Sequence, residues 1–242
     1  MTPALEPTVI FDYRGAKLCA NLLMTQVQGV VALDTETTGC NPKVESPVGK
    51  AQLWSMQLAW KDKRTQKLAS AFIPSEFYAP FITWLEDAGH RVVVGSSVLS
   101  FDRHVLANRG TQVSGFLGCT WQMSRLINNS DSYPDGGGHS LKAWGKRLGY
   151  TVTAFEQVVS IPAHSDKIMC YKRDRVAKDI TYTAGAEYQK VDFGRKELVP
   201  LDKLWHDYPE RRKAIVDYAV QDALMSWDVY THLRQVLCDR KL

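Results

Sequence analysis

Residues 30–40 read VVALDTETTGC. Val30 to Leu33 is a short apolar run, the composition of a strand buried on both faces. It ends in two acids, Asp34 and Glu36, with Thr35 between them. On a strand, residues two apart face the same side, so both carboxylates project together from the strand's end. Two carboxylates this close repel, and one has its pKa raised unless a cation sits between them. A hard divalent cation with oxygen ligands would answer that repulsion. A plainer reading stands beside it: the strand stops at Leu33 and both acids are solvated in a loop.

The neighbouring segments build a sheet around this strand. Residues 13–27 carry Ala16, Leu18, Leu22 and Leu23 on one imperfect apolar face, which predicts a helix. The turn-rich GCNPKVESPVGK follows the acids. Gln52 to Trp60 and Lys67 to Ile73 predict two strands joined by the polar KDKRTQ turn. A helix is expected over 77–88, ending at Gly89. RVVVG reads as a buried strand, a helix runs from near Phe101 to near Gly110, and GFLGCTW reads as another short strand. Short turns make the first three strands antiparallel, and helical connections make the later ones parallel. The fold class is therefore α/β, a mixed sheet flanked by helices.

Residues 151–208 break the pattern. They are polar and include the basic cluster YKRDRVAK, so an insertion or irregular subdomain is expected within a single domain spanning 1–242. The pattern returns in a long helix from about Glu210 to Val236.

Bulk composition narrows the function classes. The chain has 242 residues, 45% hydrophobic and 23% charged, as in an ordinary globular domain with a sizeable core. A net charge of +4 permits an anionic partner without requiring one. No apolar run approaches a membrane span, and MTPALEPTVIFDYRG lacks the pattern of a signal peptide. The five cysteines form no Cys-x-x-Cys pair and the six histidines no zinc-like spacing. The expectation is a cytoplasmic protein in a reducing compartment, with no structural zinc and no membrane partner.

Two further acids bear on Asp34 and Glu36. In VVVGSSVLSFDRHVL, Asp102 falls at a helix start just beyond a buried strand. Alone it reads as a helix-dipole acid, yet sites gather at the carboxyl ends of such strands. In the long helix the apolar stripe runs through Ile215, Tyr218, Ala219, Met225, Ser226, Val229, Leu233 and Val236. Asp222 lies in that stripe, one turn after Tyr218, so the two share a face. A bare carboxylate on an inward face shifts its pKa or finds a cation. Asp217 and Asp228 fall off the stripe and read as solvated. Four carboxylates converging on one point stay ionised only with bound metal, and two Mg²⁺ or Mn²⁺ ions would suffice.

HSLKAWGKRLGY predicts a short helix with Leu141, Trp144 and Leu148 on its core face and Gly149 at its end. Lys142 and Lys146 share another face, with Arg147 adjacent, suited either to phosphate or to solvent. His139 reads as a substrate contact or a packing residue at the helix start. Lys172, Arg173, Arg175 and Lys178 would track a nucleic-acid backbone or lie solvated. Phe101 and the seven tryptophans read as core before stacking platforms.

Taken in order, DTETTG, FDRHVL and YAVQD resemble the three exonuclease motifs of the DEDD superfamily, in its tyrosine-containing branch. GGGHSLKAWGKRLG is similar to a segment in the proofreading domains of family A DNA polymerases, especially those of bacteriophages. The resemblance covers roughly residues 28–150 and 208–235. It implies a ribonuclease H-like fold, with a five-stranded mixed sheet whose first three strands are antiparallel. It also implies 3′→5′ exonucleolysis at a DNA 3′ end by two metal ions. By resemblance, Asp34 bridges both metals and Glu36 and Asp222 bind the one that activates water. Asp102 holds the second, and Tyr218 orients the attacking water. Thr35, Thr37, Cys40, Phe101, His139, Lys142 and Lys146 are the expected substrate-binding residues.

The chain departs from the family in three places. SSVLS stands where an asparagine usually precedes Phe-Asp. Cys40 stands where a larger leucine usually wedges the terminal base. Residues 151–208 are longer and more basic than the usual connection. The chain ends soon after the third motif, which suits a stand-alone enzyme, the detached proofreading subunit of a DNA polymerase or a domain excised from a longer chain. An exoribonuclease resembling RNase D, sharing the same acids, and a catalytically silent nucleic-acid or polymerase-binding module are the alternatives.

Overall fold

The computed structural model describes residues 3–25, 27, 29–38, 52–87, 91–131, 133–153, 158, 160–162, 172–173, 180–181, 196–198 and 201–241. Six strands form the main sheet: β1 (Thr8–Val9), β2 (Gly29–Thr38), β3 (Gln52–Lys61), β4 (Leu68–Pro74), β5 (Arg91–Gly95) and β6 (Phe116–Cys119), in the order β1-β4-β3-β2-β5-β6. β3 runs antiparallel to both of its neighbours, β2 and β4, and β5 and β6 add in parallel on the other side of β2. These are the five expected strands. The sixth, β1, pairs in parallel with β4 through Thr8 and Val9 alone, too few residues to leave a pattern in the sequence.

β2 runs to Thr38, so Asp34 and Glu36 lie within the strand and not in a solvated loop. They pair with Gln57 and Ser55 of β3, and the register shifts between Glu36 and Thr37. Such a bulge bends a strand and re-aims the side chains beside it.

The alternation along β2 divides the core into two layers. Val31 and Leu33 face one way, packing with Leu58, Ile73 and Val93 beneath α1 (Tyr13–Thr25), α2 (Ile82–Glu86) and α3 (Asp102–Ala107). The helix expected over 77–88 is broken here. Two 3₁₀ turns, Ser75–Phe77 and Ala79–Phe81, precede a five-residue α2 that ends at Glu86. Pro80 sits in the first turn of the second, where its missing N–H costs nothing.

Ala32 faces the other way. With Ala59 and Val94 it meets Ala223, Trp227 and Tyr230 of the last helix. The helices on this side are α4 (Thr120–Ile127), α5 (Leu141–Arg147), α6 (Leu201–Asp207) and α7 (Arg212–Asp239). At 28 residues, α7 is about 40 Å long and crosses the sheet. Small residues beneath it allow a close approach. A side chain on Gly118 would meet the Tyr230 ring at 2.7 Å, so β6 needs glycine there. Gly145 likewise gives way to Met225 where α5 packs on α7.

Within the expected insertion, Ser160–Pro162 pairs antiparallel with Lys196–Leu198, and Lys172–Arg173 with Ile180–Thr181. Arg175 and Lys178 lie outside the described residues. Trp205 of α6 stacks on Phe72 of β4 with ring centres 5.4 Å apart, and Val158 and Leu204 are buried in the same cluster. Among the described residues, no helix is long and apolar enough to cross a membrane.

Candidate active site

The floor of the site is the carboxyl end of β2. Asp34 and Glu36 continue the face that carries Ala32, and so point towards α7. Directly opposite on β3, Gln57 and Ser55 are fully buried, and Gln57 Nε2 donates to Ser55 Oγ at 2.6 Å. Gln57 Oε1 is buried and has no hydrogen-bond partner among the described residues. A sheet face that is alanine and valine further back thus turns polar at one end.

α7 lays Tyr218 and Asp222 over that end, with Ala219 and Ala223 packed inward between them. α3 begins with Asp102, buried at 3% exposure. The Thr35 hydroxyl donates to Asp102 Oδ1 at 2.7 Å. The first turn of α5, capped by Ser140 through a bond from Ala143 N at 3.2 Å, brings Lys142 to the opposite wall. Together these elements enclose an open cleft of about 560 Å³ lined by Asp34, Glu36, Asp102, Asp222, Tyr218 and Lys142 among others.

The electrostatics of the cleft are unbalanced. Burial, then the neighbouring Asp102, Asp222 and Glu36, push Asp34 well above the ordinary carboxylate range. Burial, with Asp222 and Asp102 beside it, pushes Glu36 up to about 8. Burial raises Asp102 to about 6 against the opposing pull of the Thr35 hydrogen bond. Burial raises Asp222 to about 6, with Lys142 pulling the other way. Among the described residues four carboxylates thus face one ammonium, which lies 5.5 Å from the centre of the Tyr218 ring.

This donor set fits divalent metal. It is all oxygen, its excess charge is negative, and burial raises all four acids, with neighbouring carboxylates adding to the rise at Asp34 and Glu36. Among the described residues, no three His, Cys, Asp or Glu side chains are already closed on a single point.

The other expected substrate residues divide. Thr35, Phe101 and Lys142 line the cleft, but the Thr35 hydroxyl is engaged by Asp102. Thr37 is half-buried beyond the bulge and Lys146 is exposed one turn past Lys142; neither lines the cleft. Cys40 lies outside the described residues.

His139 is turned away from the cleft. It is 6% exposed, with Nδ1 2.7 Å from Ser124 Oγ and Nε2 2.6 Å from the Ser130 carbonyl. The carbonyl can only accept, so Nε2 donates to it, and in the neutral ring Nδ1 accepts from the serine. Both ring nitrogens are spent on fastening α4 to the segment before α5. Arg147 is also withheld: its guanidinium binds Asp135 at 2.6 and 2.9 Å and the Gly138 carbonyl at 2.9 Å.

Asp228, read as solvated, is buried and accepts a 2.8 Å bond from the Tyr150 hydroxyl. Asp217 does face solvent, where Lys213 holds it. Ser96, Ser97 and Ser100 also line the cleft. Their signal was SSVLS, at the carboxyl end of β5, where the family's asparagine is missing.

No family model matches the chain. By sequence it is similar to DNA polymerase I B of Arabidopsis thaliana, chloroplastic/mitochondrial, at 26% identity over 96% of this chain and 22% of the relative. DNA polymerase I A of the same plant matches at 27% over 95% of this chain and 21% of the relative. The chain therefore spans about a fifth of the length of these relatives. By structure it is similar to Brucella melitensis NrnC, with a TM-score of 0.50 and 20% identity over 100% of this chain and 84% of that one. It is equally similar to a nuclease in its apo form, with a TM-score of 0.52 and 19% identity over the same shares. The fold is ribonuclease H-like, and the chain resembles a DEDD-type 3′→5′ exonuclease of the kind found in family A DNA polymerases.

Proposed function

We propose that this chain is a metal-dependent 3′→5′ exonuclease that removes nucleotides from the 3′ end of single-stranded or frayed DNA. The observation that carries the proposal is the meeting of four carboxylates with Tyr218 and one lysine in a single open cleft.

Asp34, Glu36, Asp102 and Asp222 would hold two Mg²⁺ or Mn²⁺ ions. Bound there, the ions would neutralise the scissile phosphate and make water acidic enough to attack near neutral pH. The chain's own residues supply position. Tyr218, one turn ahead of Asp222, orients the attacking water. Lys142 draws the phosphate into the cleft from the opposite wall. Thr35 fixes Asp102, and Phe101 stands beside the terminal nucleotide. Little more is needed for phosphodiester hydrolysis than alignment and charge neutralisation.

DNA rather than RNA is supported by the similarity to DNA polymerases across nearly the whole chain. The test offers 3′- and 5′-labelled DNA and RNA side by side, with Mg²⁺, Mn²⁺ or EDTA. The proposal expects metal-dependent shortening of DNA from its 3′ end. Faster shortening of RNA would replace the substrate, and cleavage from the 5′ end or in EDTA would replace the mechanism.

A further inference from the structure

Trp121 is the second residue of α4 and is 48% exposed. Exposure alone argues nothing, since single exposed apolar side chains are normal, and Leu126 on the same helix is exposed at 71%. Trp121 is distinguished by its place and its backing.

Its place follows from the sheet. Cys119, at the end of β6, lies opposite Gly95 of β5, and its Sγ donates to the Ser96 carbonyl at 3.3 Å. Ser96 lines the cleft. Trp121 is two residues further on, at the same carboxyl edge of the sheet as the acids. One turn later, Ser124 binds His139 at 2.7 Å and Trp144 Nε1 at 2.8 Å, which fixes the approach to Ser140 and Lys142. Trp121 therefore lies on the helix that ties two walls of the cleft together, outside the cleft's own lining.

Its backing is Arg125, whose guanidinium lies 5.7 Å from the indole centre. Arg125 is itself held by Asp131 at 2.9 Å and by the Ser130 carbonyl at 3.3 Å. Its charge is answered by Asp131, so the pair makes a steadied aromatic surface and not a phosphate clamp.

We propose that Trp121, steadied by Arg125, stacks a nucleobase of a single strand whose 3′ end lies in the cleft. This rests on the nuclease reading. Every nucleobase has a π-face, so such a platform grips a strand without reading its sequence.

The test is fluorescence anisotropy of a labelled single-stranded DNA decamer in EDTA, where nothing is cleaved. Wild type, Trp121→Ala, Trp121→Phe and Leu126→Ala are compared. Trp121→Ala is expected to weaken binding about five- to a hundredfold, the weight of one base–aromatic stack. Trp121→Phe keeps most of the affinity, Leu126→Ala binds as wild type, and the preference for the decamer over a dinucleotide falls in Trp121→Ala. Equal binding by Trp121→Ala and wild type, equal weakening by Leu126→Ala, or no binding by any of the proteins overturns the platform. Cleavage assays on the same proteins separate the two readings. Trp121-dependent binding without metal-dependent cleavage keeps the platform and removes the enzyme. Cleavage with binding indifferent to Trp121 does the reverse.

Discussion

Thr35 and Asp102, 67 residues apart in sequence, are joined by a buried 2.7 Å hydrogen bond from the threonine hydroxyl to the aspartate. The bond ties the end of β2 to the first residue of α3. It also sets the direction of one carboxylate that the proposed chemistry requires. Thr35→Val keeps the shape and removes the donor. A hydrogen bond to a charged group contributes about 1.5–3 kcal/mol, so activity should fall about ten- to a hundredfold and the Mg²⁺ concentration at half-maximal rate should rise. Thr35→Ser should restore both. A Mg²⁺ titration in which the valine variant matches wild type would remove Thr35 from the account.

The raised carboxylates make a prediction for the metal-free protein. Unfolded carboxylates titrate near pH 4, whereas Asp102 and Asp222 lie at about 6, Glu36 at about 8 and Asp34 well above its ordinary value. Between these values the folded chain binds more protons than the unfolded one. Their contribution to stability is therefore full below about pH 4 and is lost as pH rises through 6 to 8. Asp135, held at about 2 by the Arg147 hydrogen bonds, acts in the opposite sense but only at lower pH. In EDTA, Tm should fall between pH 5 and pH 8, and Mg²⁺ should flatten the slope. A Tm that climbs over this range in EDTA would contradict the cleft's charge balance.

Asp34→Asn follows from the same imbalance. At pH 8 the folded chain must either charge Asp34 among the other acids or hold it protonated, and the variant removes that cost, so in EDTA at pH 8 it should unfold at a higher temperature than wild type. A gain of ~1 kcal/mol corresponds to roughly 2–4 °C in a domain of this size. Calorimetry showing a lower Tm would mean that Asp34 is stabilising without metal.

Lys142 is the cleft's own cation. Lys142→Ala should raise KM for single-stranded DNA, and the slope of log KM against log salt should shrink by about 0.7, the weight of one phosphate contact. An unchanged slope would place Lys142 in the packing of Tyr218 alone.

Much of this was legible in the sequence because it is local. The alternation through Val31, Ala32 and Leu33, and Asp222 one turn from Tyr218 in an apolar stripe, need only the geometry of their own strand or helix. What was not legible depends on distant partners. Asp228 is off the stripe of its helix and reads as solvated, yet Tyr150, 78 residues earlier, covers it. His139 beside a lysine-bearing helix reads first as a packing residue and second as a substrate contact, and only Ser124 and Ser130, which occupy both nitrogens, decide it. β1, two residues long, has no period to detect. Tyr150→Phe tests one such partnership: it leaves a buried carboxylate short of a donor and should cost about 1–3 kcal/mol in urea denaturation. A loss below about 0.5 kcal/mol, the range of ordinary surface substitutions, would mean that the contact is incidental.

The most direct measurement is the product ladder from 5′-labelled single-stranded DNA, run with wild type and Asp222→Asn in Mg²⁺ and in EDTA. The account predicts stepwise shortening from the 3′ end by wild type in Mg²⁺ only. Asp222→Asn should be slower by about 10²- to 10³-fold or more while keeping its fold by circular dichroism. Full-length DNA in every lane, or the same ladder from wild type and a folded Asp222→Asn, would contradict it.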